Sequence, residues 1–216
     1  LITFEDANIT LPPNVVAVTP TMSFLRRLPY WDEMHLPGEI VDADMIFNRN
    51  LEFSTPAHPG GPGSFDIRSV VAHEAGHFLG LSHSGVLNAT MFFVLQPGTG
   101  AASLEEDDRS AVAATYPSAS LFSNFGSIAG RVTRGGTGGA VPGALVTAVR
   151  LGGGGSPQDT VASDFTDEGG YYKLRRLSPG SYAVRLTPLD GEVGGYPLTP
   201  EYISARVAAS AFTIFP

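Results

Sequence analysis

The stretch 71–83 constrains the fold more than any other part of this 216-residue chain. Within it, His73 and His77 are four residues apart. A helix places two such imidazoles on one face, where both can bind one metal ion. Glu74 lies about 100° round the same helix, next to that ion and not needed as a ligand. The pattern therefore predicts a helix with a metal-binding face.

A third histidine can complete this site after a turn. Gly80 adopts backbone conformations that other residues resist, so the chain can turn sharply there and bring His83 back to the same ion. Three neutral imidazoles leave the fourth tetrahedral position to water, as in catalytic zinc sites. The remaining histidines, His35 and His58, lack such neighbours, and we interpret them as ordinary loop or surface residues.

Start and stop signals bracket the predicted helix. Asp66 is a suitable N-cap, the helix is expected to run to about Leu79, and Gly80 marks its end. Apolar residues at helical spacing predict the stripe that packs against the core: Val70, Val71, Ala75, Phe78 and Leu79.

A second helix is predicted from Ser103 or Leu104 to Tyr116. Ser103 would be its N-cap, and Pro117 ends it. The acidic residues at 105–108 fall in its first turn, where they complement the positive end of the helix dipole.

Composition excludes several classes of protein. The chain contains no cysteine, so disulfides, thiolate metal sites and cysteine nucleophiles are ruled out. With 13 Lys and Arg against 21 Asp and Glu, the net charge of -8 disfavours nucleic-acid binding. No apolar run approaches the roughly 18 residues that a membrane-spanning helix needs.

The two halves of the chain differ in character. Residues 1–118 carry 14 acidic and 5 basic residues, whereas 119–216 carry 7 and 8. Most of the glycines, 17 of 26, lie in the second half. The stretch 119–125 has neither helical nor strand periodicity, which predicts a short linker between two domains of different class.

Strand patterns are found on both sides of this linker. In the first half, 39–48 is predicted to form one strand of mixed alternation. In the second half, short alternating runs separated by glycine-rich turns predict a β-sandwich. Tyr182, Val184 and Leu186 share one face of the last of these runs, which together cover 128–132, 144–149, 171–174 and 181–187.

The segment His-Glu-x-x-His-x-x-Gly-x-x-His resembles the zinc-binding stretch of the metzincin metallopeptidases, and within them the matrixins. Ser84 follows the third histidine, as is usual in matrixins, and Met91 occupies the place of the methionine in the family's Met-turn. The stretch 104–116 resembles the matrixin C-terminal helix. One departure is Phe92-Phe93 after the methionine, where matrixins have Tyr-Pro, so the specificity pocket is expected to differ.

This resemblance implies an α+β metzincin catalytic domain over residues 1–118. Only 72 residues precede His73, fewer than the family's first strands and long first helix need. We therefore expect the catalytic domain to be incomplete at its N-terminal side.

The resemblance also implies roles for the site residues. One zinc ion held by His73, His77 and His83 would acidify a bound water molecule and polarise the scissile carbonyl. Glu74 would accept the water proton and pass it to the leaving amine. Met91 would be a packing platform beneath the metal, because a thioether is a poor zinc ligand beside imidazoles.

Protein or peptide substrates follow from the same resemblance. Family members pair an extended peptide with the strand at 41–47, so the candidate substrate-binding residues are Val41, Ala43, Met45 and Phe93. A purely structural strand is an equally good interpretation of 41–47.

Acidic residues leave two further alternatives open. Asp107 could brace the Met-turn, as the resemblance implies, or simply complement a helix N-terminus together with Asp108. Calcium could bind carboxylates at Asp42, Asp44 and Asp66, yet no spacing resembles a defined calcium loop. Zinc alone is the favoured prediction.

The second domain, 126–216, resembles the carboxypeptidase regulatory-like, or transthyretin-like, all-β sandwich. Three stretches carry this likeness: residues 126–132, the Val-Pro-Gly at 141–143 and the Asp-Glu-Gly-Gly at 167–170. Such modules have no catalytic residues, so a spacer or adhesion role is favoured over ligand binding. The stretch 191–216 is expected to be a last strand and a tail.

Together these features predict a secreted zinc endopeptidase with an appended β-sandwich. The alternative is a binding or adhesion protein whose metallopeptidase half is vestigial or incomplete. An extracellular or cell-surface location is expected, because a broad endopeptidase is hazardous inside a cell and a cysteine-free chain folds without oxidising machinery.

Overall fold

The computed structural model describes residues 1–4, 9–30, 33–95, 97, 102–152, 159–188, 192–193 and 196–197. Their contacts divide the chain into two compact units. The N-terminal unit comprises Leu1–Leu81 and Leu95–Ser103, and the C-terminal unit comprises Ser82–Val94 and Leu104–Pro216. Among the helices in the described ranges, none is both long and apolar enough to cross a membrane.

These units differ from the predicted division after residue 118. The stretches Ser82–Val94 and 104–118 group with the C-terminal strands by contact, although the composition of the chain changes only after them. Packing therefore crosses the boundary at which the composition changes.

The described residues of the N-terminal unit contain nine short strands. β7 is the middle strand of a three-stranded sheet, with β1 parallel on one side and β2 antiparallel on the other. β6 pairs instead with β3. The strands are β1 (Ile2–Thr3), β2 (Ala17–Val18), β3 (Thr21–Ser23), β4 (Leu28–Tyr30), β5 (Glu33–His35), β6 (Ile40–Ala43), β7 (Met45–Phe47), β8 (Phe53–Ser54) and β9 (Phe65–Asp66).

The prediction of one strand over 39–48 is wrong. The structure has two strands, β6 and β7, which are separated at Asp44 and belong to different sheets. The two strands have different partners: β6 pairs with β3, whereas β7 lies between β1 and β2. Apolar alternation within 39–48 does not encode a change of partner.

The core of this unit forms between β7 and the helix that follows the strands. Met45 and Phe47 from β7 pack with Val70, and each of these side chains is at most 7% exposed. Phe4 stacks on Phe47 with ring centroids 5.0 Å apart. Partly buried side chains surround this cluster: Val16, Ala17, Phe53, Phe65, Ile67, Ala75 and Leu95.

The first predicted helix is confirmed as α1 (Ile67–Phe78). Asp66 is its N-cap, and an Asp66 Oδ1 atom accepts a hydrogen bond from the backbone N–H of Ser69 at 3.0 Å. The helix ends at the C-cap residue Leu79, one residue before Gly80. Local capping signals are sufficient to place this element.

The predicted apolar stripe of α1 is wrong in three of its five positions. Val71, Phe78 and Leu79 are 36%, 45% and 39% exposed. The buried face carries mostly small and polar residues instead: Ser69, Val70, His73, Glu74 and Gly76. The side of the helix that is turned inward is therefore the side that carries the metal-binding pattern.

The second predicted helix is α2 (Glu106–Thr115). Its N-cap is Glu105 rather than Ser103, so the predicted cap is wrong. The side chain of Asp108 accepts a hydrogen bond from the backbone N–H of Glu105 at 2.9 Å, half of a capping-box arrangement. Because Asp108 binds the backbone of Glu105, the helix begins after Glu105, later than a cap at Ser103 would place it.

The stretch predicted as a short linker contains a short helix, α3 (Ala119–Asn124). The lack of helical periodicity in the sequence did not indicate this helix. No glycine or proline interrupts these six residues, so nothing in the local sequence prevents a helical turn.

The C-terminal strands confirm the β-rich character of the second half. They form a two-stranded sheet, β10-β13, and a three-stranded sheet, β12-β11-β14, both antiparallel. The strands are β10 (Gly126–Arg131), β11 (Leu145–Arg150), β12 (Thr160–Phe165), β13 (Tyr171–Leu177), β14 (Tyr182–Thr187), β15 (Glu192–Val193) and β16 (Tyr196–Pro197). The four predicted strands are present, and β12 was missed because its polar Ser163 and Asp164 obscure the alternation.

Both sheets contribute to one cluster of buried side chains. Val146 and Ala148 of β11 pack with Leu174 and Leu177 of β13. Val184 and Leu186, on the predicted apolar face of β14, are 40% and 51% exposed. β15 and β16 pair with each other, and the remainder of the predicted last strand and tail lies outside the described residues.

Candidate metal centre

Helix α1 positions the first two histidines as predicted. The rings of His73 and His77 face each other with centroids 4.8 Å apart and planes at 84°. His73 is 4% exposed and Glu74 is 3% exposed, whereas His77 is half-buried. The one-turn spacing of the imidazoles follows directly from the helix.

The end of α1 turns the chain through a Schellman motif. Gly80 has φ of +84°, its N–H bonds the carbonyl of His77 at 2.8 Å, and the N–H of Leu81 bonds the carbonyl of Gly76 at 2.9 Å. A Cβ atom at Gly80 would lie 3.3 Å from Cδ1 of Ile40. Glycine therefore meets two requirements at this position, the left-handed conformation and the close approach of a side chain.

His83, three residues after Gly80, completes a histidine group. Candidate ligand atoms of His73, His77 and His83 all lie within 4.8 Å of one another. No other group of three histidine or carboxylate side chains at such distances occurs in the described part of the chain. The predicted set of metal ligands is brought together.

The donor chemistry of this group fits zinc. Imidazole nitrogen is a preferred zinc ligand, and three protein ligands with one open position are typical of catalytic sites. Nδ1 of His77 lies 2.8 Å from the carbonyl oxygen of Leu81. A carbonyl can only accept, so neutral His77 donates from Nδ1 and presents its lone pair at Nε2.

Glu74 has a partner that the sequence did not indicate. Oγ1 of Thr19 donates a hydrogen bond to Oε2 of Glu74 at 2.6 Å. Burial raises the pKa of Glu74, while the Thr19 hydrogen bond acts in the opposite direction. Because Thr19 lies 55 residues earlier in the chain, no local pattern could have identified it.

The segment that carries Met91 is held from helix α2. Met91 is 3% exposed, and its carbonyl accepts a hydrogen bond from the N–H of Ser84 at 2.7 Å. The carboxylate of Asp108 accepts hydrogen bonds from the N–H groups of Thr90 and Met91 at 2.9 and 3.0 Å. Asp108, rather than Asp107, is therefore the residue that braces the methionine segment.

Asp107 has a different partner. Its Oδ2 atom accepts a hydrogen bond from Oγ of Ser84 at 2.6 Å, one residue after His83. Burial raises the pKa of Asp107, and hydrogen bonds from Ser84 and Ser163 oppose that shift. The two neighbouring carboxylates thus bind different parts of the 82–94 segment, Asp107 at Ser84 and Asp108 at Thr90 and Met91.

Two of the four candidate substrate residues are excluded as surface contacts. Ala43 and Met45 are each 7% exposed, and Met45 belongs to the core cluster. Both edges of β7 are already paired, so Met45 offers no free edge to a peptide. Val41, on β6, is 43% exposed, and Phe93 is half-buried.

The carboxylates considered for calcium do not form a cluster in the described ranges. Asp66 is buried and engaged as the cap of α1, with Arg68 also hydrogen-bonded to its carboxylate. Asp42 accepts from the N–H of Ala43 at 2.9 Å.

Comparisons with known proteins agree with this geometry. The family model "Matrixin" matches residues 32–117, and "Carboxypeptidase regulatory-like domain" matches residues 127–197. Metalloendoproteinase 1 from Glycine max is 42% identical over 53 residues. That match spans 24% of this chain and 17% of the relative. No solved structure matches significantly.

The matrixin match contains all three histidines of the group and Glu74. The strands β10 to β14 lie almost entirely within the second match. The chain therefore has one segment that matches the matrixin model and, after it, a segment that matches the carboxypeptidase regulatory-like model.

Proposed function

We propose that this protein is a zinc-dependent endopeptidase. The observation that carries the proposal is the histidine group with a buried carboxylate beside it in the chain: His73, His77 and His83 lie together, and Glu74 is 3% exposed. The three histidines would hold one zinc ion, which would supply a Lewis acid for the scissile carbonyl and lower the pKa of a bound water molecule.

Glu74 moves the proton in this proposal. Oγ1 of Thr19 donates to Oε2 of Glu74, and the carboxylate keeps free lone pairs with which it accepts a proton from the attacking water. The same carboxyl then gives that proton to the leaving amine. Burial keeps bulk water away from the carboxylate, and the Thr19 hydrogen bond fixes its orientation.

A peptide substrate pairs with β6 in this proposal. β6 is bonded to β3 along one edge, and the described residues place no strand on its other edge. An extended peptide can add to such an edge through main-chain hydrogen bonds. Val41, 43% exposed on β6, is then the side chain positioned to contact substrate.

The test is hydrolysis of casein by the full chain, with and without 1,10-phenanthroline. We expect cleavage that the chelator abolishes and added zinc restores. His83→Ala should lose the activity, whereas His58→Ala should keep it, because His58 is exposed and outside the histidine group. If the zinc-loaded chain cleaves no peptide, the non-catalytic binding alternative replaces this proposal.

We also propose that the C-terminal domain is a β-sandwich and that the protein acts outside the cell or at its surface. Side chains from both sheets share one buried cluster, which supports the sandwich. The lack of cysteine supports folding without oxidising machinery. Fractionation of the producing cells should place the protein in the medium or on the surface; recovery only inside the cells would contradict the proposed location.

A further inference from the structure

The segment 82–94 carries His83 and Met91, and it packs directly on the C-terminal β domain. A Cβ atom at Gly85 would lie 2.6 Å from Cδ2 of Leu145 in β11, so glycine lets the backbone approach the Leu145 side chain. Leu145 is itself 2% exposed. The contact is therefore close and unable to relax easily.

A chain of hydrogen bonds links the same segment to β12. Asp107 accepts from Oγ of Ser84 at 2.6 Å and from both the side chain and the backbone N–H of Ser163. Asp107 is 4% exposed. One buried carboxylate thus connects the residue after His83 to a strand of the β domain.

Helix α2, which supplies Asp107, is also attached to β13. Oγ of Ser110 donates to the carbonyl of Arg175 at 2.7 Å. Nη1 of Arg176 lies 2.8 Å from Oε2 of Glu106. Arg176 has φ of +54° at an irregularity in the β10-β13 ladder, a feature that redirects a side chain out of the regular strand pattern.

Burial along β11 shows that both of its faces are covered. Consecutive side chains of a strand point to opposite faces, yet Leu145 and Val146 are 2% and 0% exposed. Val146 joins the cluster between the sheets, while Leu145 meets Gly85. If the β domain were attached only through a linker, the face of β11 that carries Leu145 would be exposed to solvent.

We propose that the C-terminal β domain is a structural support of the metal centre, and that Ser163 is a positioning residue acting through Asp107 and Ser84 on His83. This role differs from the spacer or adhesion role that the sequence favoured. It rests on the proposed function only in requiring that His83 binds a metal ion.

The test is titration of the metal-free full chain with Co²⁺, followed by visible absorption, which reports the ligands around the ion. Ser163→Ala should weaken Co²⁺ affinity about tenfold and alter the spectrum, in the range found for residues that orient a metal ligand. Ser163→Thr keeps the hydroxyl and should restore both. Ser127→Ala, an exposed serine of β10 in the same domain, should stay within about twofold of the wild type.

A second pair of variants tests the packing contact independently. Gly85→Ala inserts the Cβ atom against Leu145 and should also weaken Co²⁺ binding. Adding Leu145→Val removes the atoms that clash, so the double variant should regain affinity. Far-UV circular dichroism of each variant checks that it is folded.

The outcomes are distinguishable. If the wild type binds Co²⁺ and both Ser163→Ala and Gly85→Ala bind it equally well with unchanged spectra, the supporting role of the β domain is wrong. If the wild type binds no Co²⁺, the metal site itself is wrong, and this inference falls with the proposed function. If Gly85→Ala is weaker and Leu145→Val does not rescue it, the Leu145 contact is not the cause.

Discussion

The carboxylate of Glu74 is subject to opposing influences. Burial favours its protonated form, whereas the hydrogen bond from Thr19 favours the ionised form that can accept a proton. A single hydroxyl at 2.6 Å therefore favours the ionised carboxylate that the proposed proton transfer requires.

Replacing Thr19 with valine keeps the shape of the side chain and removes the hydroxyl. Loss of a hydrogen bond to a charged group, worth about 1.5–3 kcal/mol, should lower kcat about tenfold or more while bound zinc is unchanged. The lost bond is one that lowers the pKa of Glu74, so that pKa should rise and the acid limb of kcat/KM should move to higher pH.

Thr19→Ser is the matched control, because it keeps the donor and should behave like the wild type. A pH–rate profile of Thr19→Val that stays in place, or moves to lower pH, would show that Thr19 does not tune Glu74.

The sequence predicted which histidines lie together but not their hydrogen-bond partners, for a physical reason. His73, Glu74 and His77 are fixed by one helix, so their spacing alone gives their geometry. Thr19 and Ser163 reach the site only through the folded chain. Hydrogen bonds between residues so far apart in sequence have no local signature.

At the scale of elements, α1 depends on its first cap. Asp66 is 3% exposed, and its carboxylate accepts from the N–H of Ser69 and from Arg68. Burial opposes ionisation, but the hydrogen bonds and charge of Arg68 and Ser69 outweigh it and hold the pKa of Asp66 below its usual 3.8. The folded state therefore prefers the ionised carboxylate.

Asp66→Ala should lower the free energy of unfolding by about 1 kcal/mol at neutral pH, as expected for a lost N-cap. Since the folded pKa is depressed, the stabilisation from Asp66 is present above 3.8 and is lost as pH falls through the folded value. Urea unfolding across this range measures both effects.

Asp66→Asn separates the cap from the charge. Asparagine is also a good N-cap but does not titrate, so stability at neutral pH should be largely kept while the acid dependence from this residue disappears. An unchanged acid dependence in Asp66→Asn would mean that other groups cause it.

Elements with local signals were predicted well, and those that depend on pairing were not. α1 has Asp66 before it and Gly80 after it, and its bounds were correct within a residue. The stretch 39–48 was predicted as one strand because its apolar pattern is continuous, but two partner strands divide it. Partner choice is a property of the whole sheet.

At the scale of the molecule, the change in composition near residue 118 predicted two domains of different class. The matches to two families end and begin on either side of it, at 117 and 127. By contact, however, Ser82–Val94 belongs to the C-terminal unit, together with the C-terminal strands. A contact such as Gly85 against Leu145 depends on matching shapes, which composition does not encode.

Zinc removal should lower the unfolding temperature of the full chain. A ligand that binds only the folded state adds about 2.7 kcal/mol of stability at 100 times its Kd. Because Ser82–Val94 belongs to the C-terminal unit, the transition of that unit should shift as well. Calorimetry with and without chelator measures this, and a C-terminal transition that stays fixed would contradict the grouping.

In the proposed mechanism, Glu74 performs proton transfer at a zinc site built by three histidines. Native mass spectrometry and peptide hydrolysis on the same samples of wild type and Glu74→Ala test it most directly. We expect one zinc ion per chain in both proteins, and a loss of at least about a hundredfold in kcat for Glu74→Ala, typical of losing a general base. Equal turnover in the two proteins, or loss of zinc from Glu74→Ala, would contradict the account.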